Sequence, residues 1–190
     1  MNVEMIKFHT NGENMKPDVA HDPRMLVGFF SIFFLIGVYA IRSQLPSALP
    51  MIFFHATLLV NTFYSIECFG PRTPVFAHGQ GIVDFFLVSI YVLSPFFLGS
   101  PSVYLLSVTL LFIIASLKYT LLIRVIADLR LMQRKLVIDL CGVLWNFCAF
   151  LLLSSGLIAP ALLLWIWASG FAGMNIYLLK IKPMYCLTAP

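Results

Sequence analysis

Charged residues are scarce in this sequence. Asp, Glu, Lys and Arg make up 11% of its 190 residues, whereas 61% of the residues are apolar. A soluble globular domain carries about 25% charged residues. A soluble fold of this length has too little interior to bury so many apolar side chains, so the composition excludes the soluble globular classes.

The sequence also lacks the residue sets that hold metals and common cofactors. Of its four histidines, only His55 falls within a long apolar run. A haem held by two histidines cannot be completed inside these runs, and the HExxH and CxxC spacings of zinc sites do not occur. The cysteines, which show no paired spacing, are Cys68, Cys141, Cys148 and Cys186. We therefore predict no metal, no cofactor and no disulfide framework.

Catalytic motifs are equally sparse. The sequence has no glycine-rich phosphate loop and no GxSxG nucleophile elbow. His55 and Asn61 lie within one apolar run, but general acid–base or nucleophilic catalysis needs a base, a nucleophile and an orienting group together. The sequence predicts no catalytic residues, which favours a protein that is not an enzyme.

Long apolar runs are the main feature that is present. There are six, each close to the roughly 20 residues that an α-helix needs to cross a bilayer. The predicted spans cover residues 25–41, 48–69, 81–98, 103–123, 136–153 and 158–181. We predict an all-α polytopic membrane protein, a six-transmembrane-helix bundle built as three antiparallel hairpins. Polar tails are predicted at residues 1–24 and 182–190.

Segment 124–135 is the longest polar stretch between the predicted spans. It carries four basic residues and one acid, and its apolar residues recur at helical spacing. This pattern favours a helical extension that lies at the membrane interface.

The basic residues predict how the chain is oriented. With six spans, both tails, the second–third loop and the fourth–fifth loop share one side. The basic residues on that side are Lys7, Lys16, Arg24, Arg72, Arg124, Arg130, Arg134, Lys135, Lys180 and Lys182. Arg42 is alone on the opposite side. Because basic loops stay cytoplasmic, both termini are predicted in the cytoplasm, and the net charge of +4 reflects topology rather than binding to nucleic acid.

The spans have weak internal similarity. Asp84 and Asp139 follow the first residues of the third and fifth spans, and Tyr64, Tyr119 and Tyr177 lie near the ends of the returning spans. Three related hairpins would explain this pattern. The helix dipole, which favours acids near helix starts, and the preference of tyrosine for interfaces explain it equally well.

Ionisable residues inside predicted spans are costly and are functional candidates for that reason. They are Glu67, Asp84, Lys118 and Asp139, all near the cytoplasmic boundary. One interpretation is a vestibule where these charges meet an ion or polar solute. The other is a structural bridge from Lys118 to Asp139 or to Asp84.

Uncharged polar residues form a second group of candidates. Thr57, Asn61 and Ser65 are spaced four residues apart on the second span, with His55 about half a turn away. Asn146 and Asn175 lie on the fifth and sixth spans. These side chains either belong to a pathway or bond the helices to one another.

The functional prediction is a small transporter or channel-type protein that moves an ion or small polar solute. The predicted pathway comprises His55, Asn61, Asp84, Lys118, Asp139, Asn146 and Asn175. The expected partners are the lipid bilayer and either further copies of the chain or other membrane subunits. The alternative is a non-catalytic subunit of a larger membrane complex, and a membrane enzyme that acts on lipid ranks third.

Overall fold

Six helices dominate the part of the chain that the structure describes. The computed structural model describes residues 22–69, 80–123 and 129–181. The helices are α1 (Pro23–Ala40), α2 (Leu45–Phe69), α3 (Gln80–Leu93), α4 (Pro101–Leu122), α5 (Leu129–Ser155) and α6 (Pro160–Ile176). Short 3₁₀ turns at Arg42–Gln44 and Ser94–Phe97 precede α2 and follow α3, and a π-helical turn at Tyr177–Ile181 follows α6. Each of the six segments is long and apolar enough to cross a membrane, which confirms the prediction of an all-α chain with six such helices.

Proline and an acidic cap mark helix starts. The Asp22 carboxylate accepts a hydrogen bond from the Arg24 backbone amide at 2.8 Å, and Pro23 occupies the first turn of α1. Pro160 begins α6. Proline suits this position because its missing amide proton would have no helical partner there.

The fifth helix begins earlier than predicted. It starts at Leu129 rather than at residue 136, so residues 129–135 of the predicted interfacial segment form its first two turns. Residues 124–128 of that segment lie outside the described residues, as do residues 1–21 and 182–190 of the predicted tails. The helical residues 129–135 agree with the predicted helical extension of this segment.

The helices pack in a cyclic order that differs from their order along the chain. Proceeding around the bundle, α1 contacts α3, α3 contacts α4, α4 contacts α5, α5 contacts α6, α6 contacts α2, and α2 returns to α1. A threefold arrangement of related hairpins would repeat one kind of junction three times. The junctions here, α1 with α3, α4 with α5 and α6 with α2, join different helices, so the packing gives no support to a threefold repeat.

Aromatic side chains fill the centre of the bundle. Phe54 of α2 stacks on Trp167 and Phe171 of α6, with ring centroids 4.1 and 4.2 Å apart. Tyr104 and Phe112 of α4 pack edge-on against these two α6 rings. The large buried rings join α2, α4 and α6 into one core.

A glycine allows α1 to approach the third span closely. A Cβ atom added at Gly37 would lie 2.6 Å from both Cβ and the carbonyl oxygen of Pro95. Pro95 lies in the 3₁₀ turn that follows α3. No larger residue fits at Gly37 without movement of this backbone.

Candidate functional site

A cavity of about 310 Å³ lies between the first five helices. It is on the side of the bundle where α1, α3 and α5 begin, which we call the basic end. Charged and polar lining residues are Asn61, Thr62, Ser65, Asp84, Tyr91, Lys118, Tyr119, Lys135 and Asp139. Apolar side chains, including Phe30, Leu58, Leu87, Val88 and Phe112, supply most of the remaining wall. This size is at the lower end of small-molecule sites, which measure about 300–1,000 Å³.

The first ion pair at the cavity joins α3 to α4. The Lys118 ammonium donates to Oδ1 of Asp84 at 2.6 Å. The two side chains keep 25% and 40% of their exposure, so the bridge lies at the accessible part of the cavity. Gln80, one turn before Asp84, also donates to this carboxylate.

The second ion pair lies deeper and within α5. The Lys135 ammonium donates to Oδ1 of Asp139 at 2.6 Å, and the two side chains are only 5% and 1% exposed. Oδ2 of Asp139 is buried and has no hydrogen-bond partner among the described residues. Lys135 also lies 5.3 Å above the centre of the Tyr119 ring, a cation–π distance.

Helix register explains which of the two predicted bridges forms. Of the alternatives for Lys118, the structure forms the bridge to Asp84 and not the bridge to Asp139. Asp84 is four residues after the start of α3 and Lys118 four residues before the end of α4, so these antiparallel neighbours meet. On α5, Lys135 lies at the level of Tyr119. Asp139 is four residues further along, about 6 Å deeper in the bundle.

One face of α2 is bonded to tyrosines from α3 and α4. Nδ1 of His55 shares a hydrogen bond with the Tyr104 hydroxyl at 3.0 Å. The Thr62 hydroxyl bonds that of Tyr91, and the Ser65 hydroxyl bonds that of Tyr119 at 2.8 Å. We call these contacts the tyrosine ladder. The Thr62–Tyr91 and Ser65–Tyr119 pairs line the cavity, whereas the His55–Tyr104 pair lies outside the cavity, towards the end of the bundle opposite the basic end.

The predicted pathway residues divide into two groups. Asn61, Asp84, Lys118 and Asp139 all line the cavity. His55, Asn146 and Asn175 are buried but do not line it. Asn146 accepts from the Trp167 indole at 2.9 Å and donates to the Gly142 carbonyl, while Asn175 donates to the Phe171 carbonyl of its own helix. The bond to Trp167 joins α5 to α6, whereas Asn175 bonds within α6, and neither asparagine lines the cavity.

Sequence reasoning missed Lys135 and the tyrosines of the site. Lys135 was assigned to the polar segment before the fifth span, although its spacing of four residues from Asp139 was the available signal. The sequence does not identify Tyr91 and Tyr104 as site residues, because a tyrosine within a predicted span is equally well explained by helix packing. Of the polar residues spaced four apart on the second span, Asn61 and Ser65 line the cavity and Thr57 does not; its hydroxyl donates to the Phe53 carbonyl of its own helix.

Comparison with known proteins adds no family assignment. No family model, curated protein or solved structure matches this chain. Within residues 22–69, 80–123 and 129–181, no group of three or more His, Cys, Asp or Glu residues is arranged to hold a metal ion. The functional argument therefore depends on the cavity and its charges.

Proposed function

We propose that this protein is an integral membrane transporter that binds a small polar solute in the cavity at its basic end. The observation that carries the proposal is the placement of four charged side chains around one cavity in a bundle of membrane-length helices. A charged side chain at the centre of a membrane-spanning helix costs about 2.5–3.5 kcal/mol on insertion scales, so charges in such helices are functional candidates. These four charged side chains border a space of about 310 Å³, which is within the range of small-molecule sites.

The distribution of basic residues supports an orientation for this transporter. Arg24, Arg130, Arg134 and Lys180 belong to the basic end, and Arg42 to the opposite end. By the positive-inside rule, the basic end faces the cytoplasm and both termini are cytoplasmic. The cavity is then a cytoplasm-facing binding site.

The packing beyond the cavity favours a carrier over an open channel. Phe54, Tyr104 and Trp167 are almost fully buried and fill the centre of the bundle on the way to the opposite end. A solute crosses such a bundle only if helices move apart, as in alternating access. The cavity is formed within one chain, so the proposed site does not require a second copy.

Cysteine accessibility tests this proposal without knowledge of the solute. In a background where all four native cysteines are alanine, Asn61→Cys places a thiol in the cavity, and Val60→Cys places one on the outward face of the same turn. We expect Asn61→Cys to react with a membrane-impermeant, positively charged thiosulfonate from the cytoplasmic side and, more slowly, from the opposite side. Val60→Cys should react from neither side.

The non-catalytic subunit is the alternative that the same experiment addresses. A fixed structural subunit has no second conformation, so its Asn61→Cys variant would react from one side only. Purification in mild detergent gives a separate answer, because a subunit would retain foreign chains in constant proportion. Failure of Asn61→Cys to react from either side would contradict the cavity itself.

A further inference from the structure

Asp139 has a hydrogen-bond acceptor that no described residue uses. Its side chain is 1% exposed and lines the cavity. Oδ1 accepts from Lys135, whereas Oδ2 is buried without a partner among the described residues. A buried carboxylate oxygen is costly when unpaired, so a molecule that fills this cavity is stabilised if it brings an N–H or O–H donor to Asp139.

The charge balance of the cavity restricts the ligand further. Its walls hold two carboxylates, Asp84 and Asp139, and two ammonium groups, Lys118 and Lys135. Their formal charges cancel, so a ligand with a net charge would add an unbalanced charge to a site of low dielectric constant. A neutral or zwitterionic ligand avoids this cost.

Lys118 can donate a hydrogen bond to an acceptor group at the other end of the ligand. A lysine ammonium has three N–H donors, and the structure gives Lys118 one partner, Asp84, among the described residues. Lys118 and Asp139 line the same cavity from α4 and α5. A carboxylate can therefore bind Lys118 while an ammonium group binds Asp139, with the apolar walls around the rest of the molecule.

We propose that the cavity binds a small zwitterion, in which an ammonium group with at least one N–H and a carboxylate are carried on an apolar body. This inference rests on the proposed function, because it names the solute class of that same site. The ammonium would donate to Oδ2 of Asp139 and the carboxylate would accept from Lys118. Phe30, Leu87 and Phe112 would contact the apolar body.

A matched ligand series tests this proposal on the unaltered protein. Leucine carries both charges, 3-methylbutylamine is leucine without its carboxylate, and 4-methylpentanoate is leucine without its ammonium group. We expect calorimetry on protein in phosphatidylglycerol nanodiscs to detect leucine, with each single-charge analogue bound about 10- to 100-fold more weakly. Equal or tighter binding of the amine would overturn the zwitterion in favour of an organic cation, and no binding of any of the three would overturn the proposal.

A zwitterionic lipid headgroup has similar chemistry, so the binding experiment also has to distinguish a headgroup from a soluble ligand. Phosphatidylethanolamine has an ammonium N–H, whereas phosphatidylcholine has none. If the occupant is a headgroup, phosphatidylethanolamine nanodiscs will abolish leucine binding and phosphatidylcholine nanodiscs will not. If leucine binds equally in both, the site takes a soluble zwitterion.

Two variants test whether Asp139 is the residue that binds the ligand ammonium group. Asp139→Asn should weaken leucine binding at least 10-fold, and Glu67→Gln, which alters an acid outside the cavity wall, should leave it unchanged. If Asp139→Asn does not fold, the ligand series still decides the outcome. Binding is measured without a gradient, so leucine binding together with one-sided labelling of Asn61→Cys would reject transport while retaining the zwitterion site.

Discussion

Lys135 and Asp139 stand one helical turn apart on α5, and their ammonium and carboxylate are 2.6 Å apart at a buried site. Breaking a buried pair leaves one charge uncompensated, which costs about 3–5 kcal/mol. We therefore expect Lys135→Met to destabilise the protein by roughly this amount in a detergent-unfolding measurement. The double variant Lys135→Met with Asp139→Leu should recover much of the loss, and an additive double variant would contradict the pairing.

The more exposed pair should behave differently. Lys118→Met removes the partner of Asp84, but the two side chains keep 25% and 40% exposure. Pairs with this much access to water contribute about 0–1 kcal/mol, so Lys118→Met should cost far less stability than Lys135→Met. Double-mutant cycles should find coupling between Lys118 and Asp84 and a smaller value between Lys118 and Asp139. The reverse order would show that the register of α5 against α4 is wrong.

The tyrosine ladder predicts a stability loss from removal of a single oxygen. Tyr104→Phe deletes the hydroxyl that shares a hydrogen bond with Nδ1 of His55. The other ring nitrogen of His55, Nε2, has no partner among the described residues, so the variant leaves the buried imidazole without a described hydrogen bond. Leaving a buried polar group unsatisfied costs about 1–3 kcal/mol. Thermal unfolding in detergent should record this loss for Tyr104→Phe and none for Tyr177→Phe, where the side chain is exposed. If Tyr104→Phe and Tyr177→Phe lower the stability equally, the hydrogen bond to His55 is not the cause of the loss.

Two glycines on α1 form a matched pair for packing. Gly37→Ala would bring a Cβ within 2.6 Å of the Pro95 backbone, whereas Gly28→Ala has nothing within 4 Å. Overpacking costs about 1–3 kcal/mol, so Gly37→Ala should lower the unfolding temperature and Gly28→Ala should not. If both variants unfold alike, α1 does not approach the third span as closely as described.

Reporter fusions test the orientation. A reporter inserted at Gly156, in the turn between α5 and α6, should lie on the opposite side of the membrane from reporters at the two termini. This outcome follows from six crossings and the positive-inside rule. A reporter at either terminus in the same compartment as the Gly156 reporter would contradict the six crossings, and termini outside the cytoplasm would contradict the orientation.

Hydrophobic length and helix-start residues made the helices predictable, whereas their lateral order was not. Pro23 and Pro160 begin α1 and α6, within two residues of the predicted span starts, because proline and cap chemistry act locally. By contrast, the pairing of Lys118 depends on the start of α5, and the apolar pattern around residue 129 continues through charged residues without a stop signal. The sequence alone leaves both Asp84 and Asp139 open as partners of Lys118, and the structure forms the pair with Asp84.

The candidate site shows the same division. Asn61, Asp84, Lys118 and Asp139 were predictable because polar groups in an apolar run are conspicuous. Tyr91 and Tyr119 were not predictable as site residues, because their hydrogen bonds to Thr62 and Ser65 depend on how the helices pack. The contacts of Trp145 are likewise visible only in the structure, where its indole donates to the Trp167 carbonyl and its ring lies against Gly170.

The cyclic order of the helices has a consequence for biogenesis. All described residues that line the cavity precede α6, yet α6 is the helix that joins α5 to α2. The described cavity walls are therefore all synthesised before α6, and α2, which the tyrosine ladder joins to α3 and α4, contacts α6 only after that last helix has been made. Truncation before residue 160 would leave every described cavity-lining residue in place on an open arc of five helices, with the α6-facing surfaces of α2 and α5 uncovered.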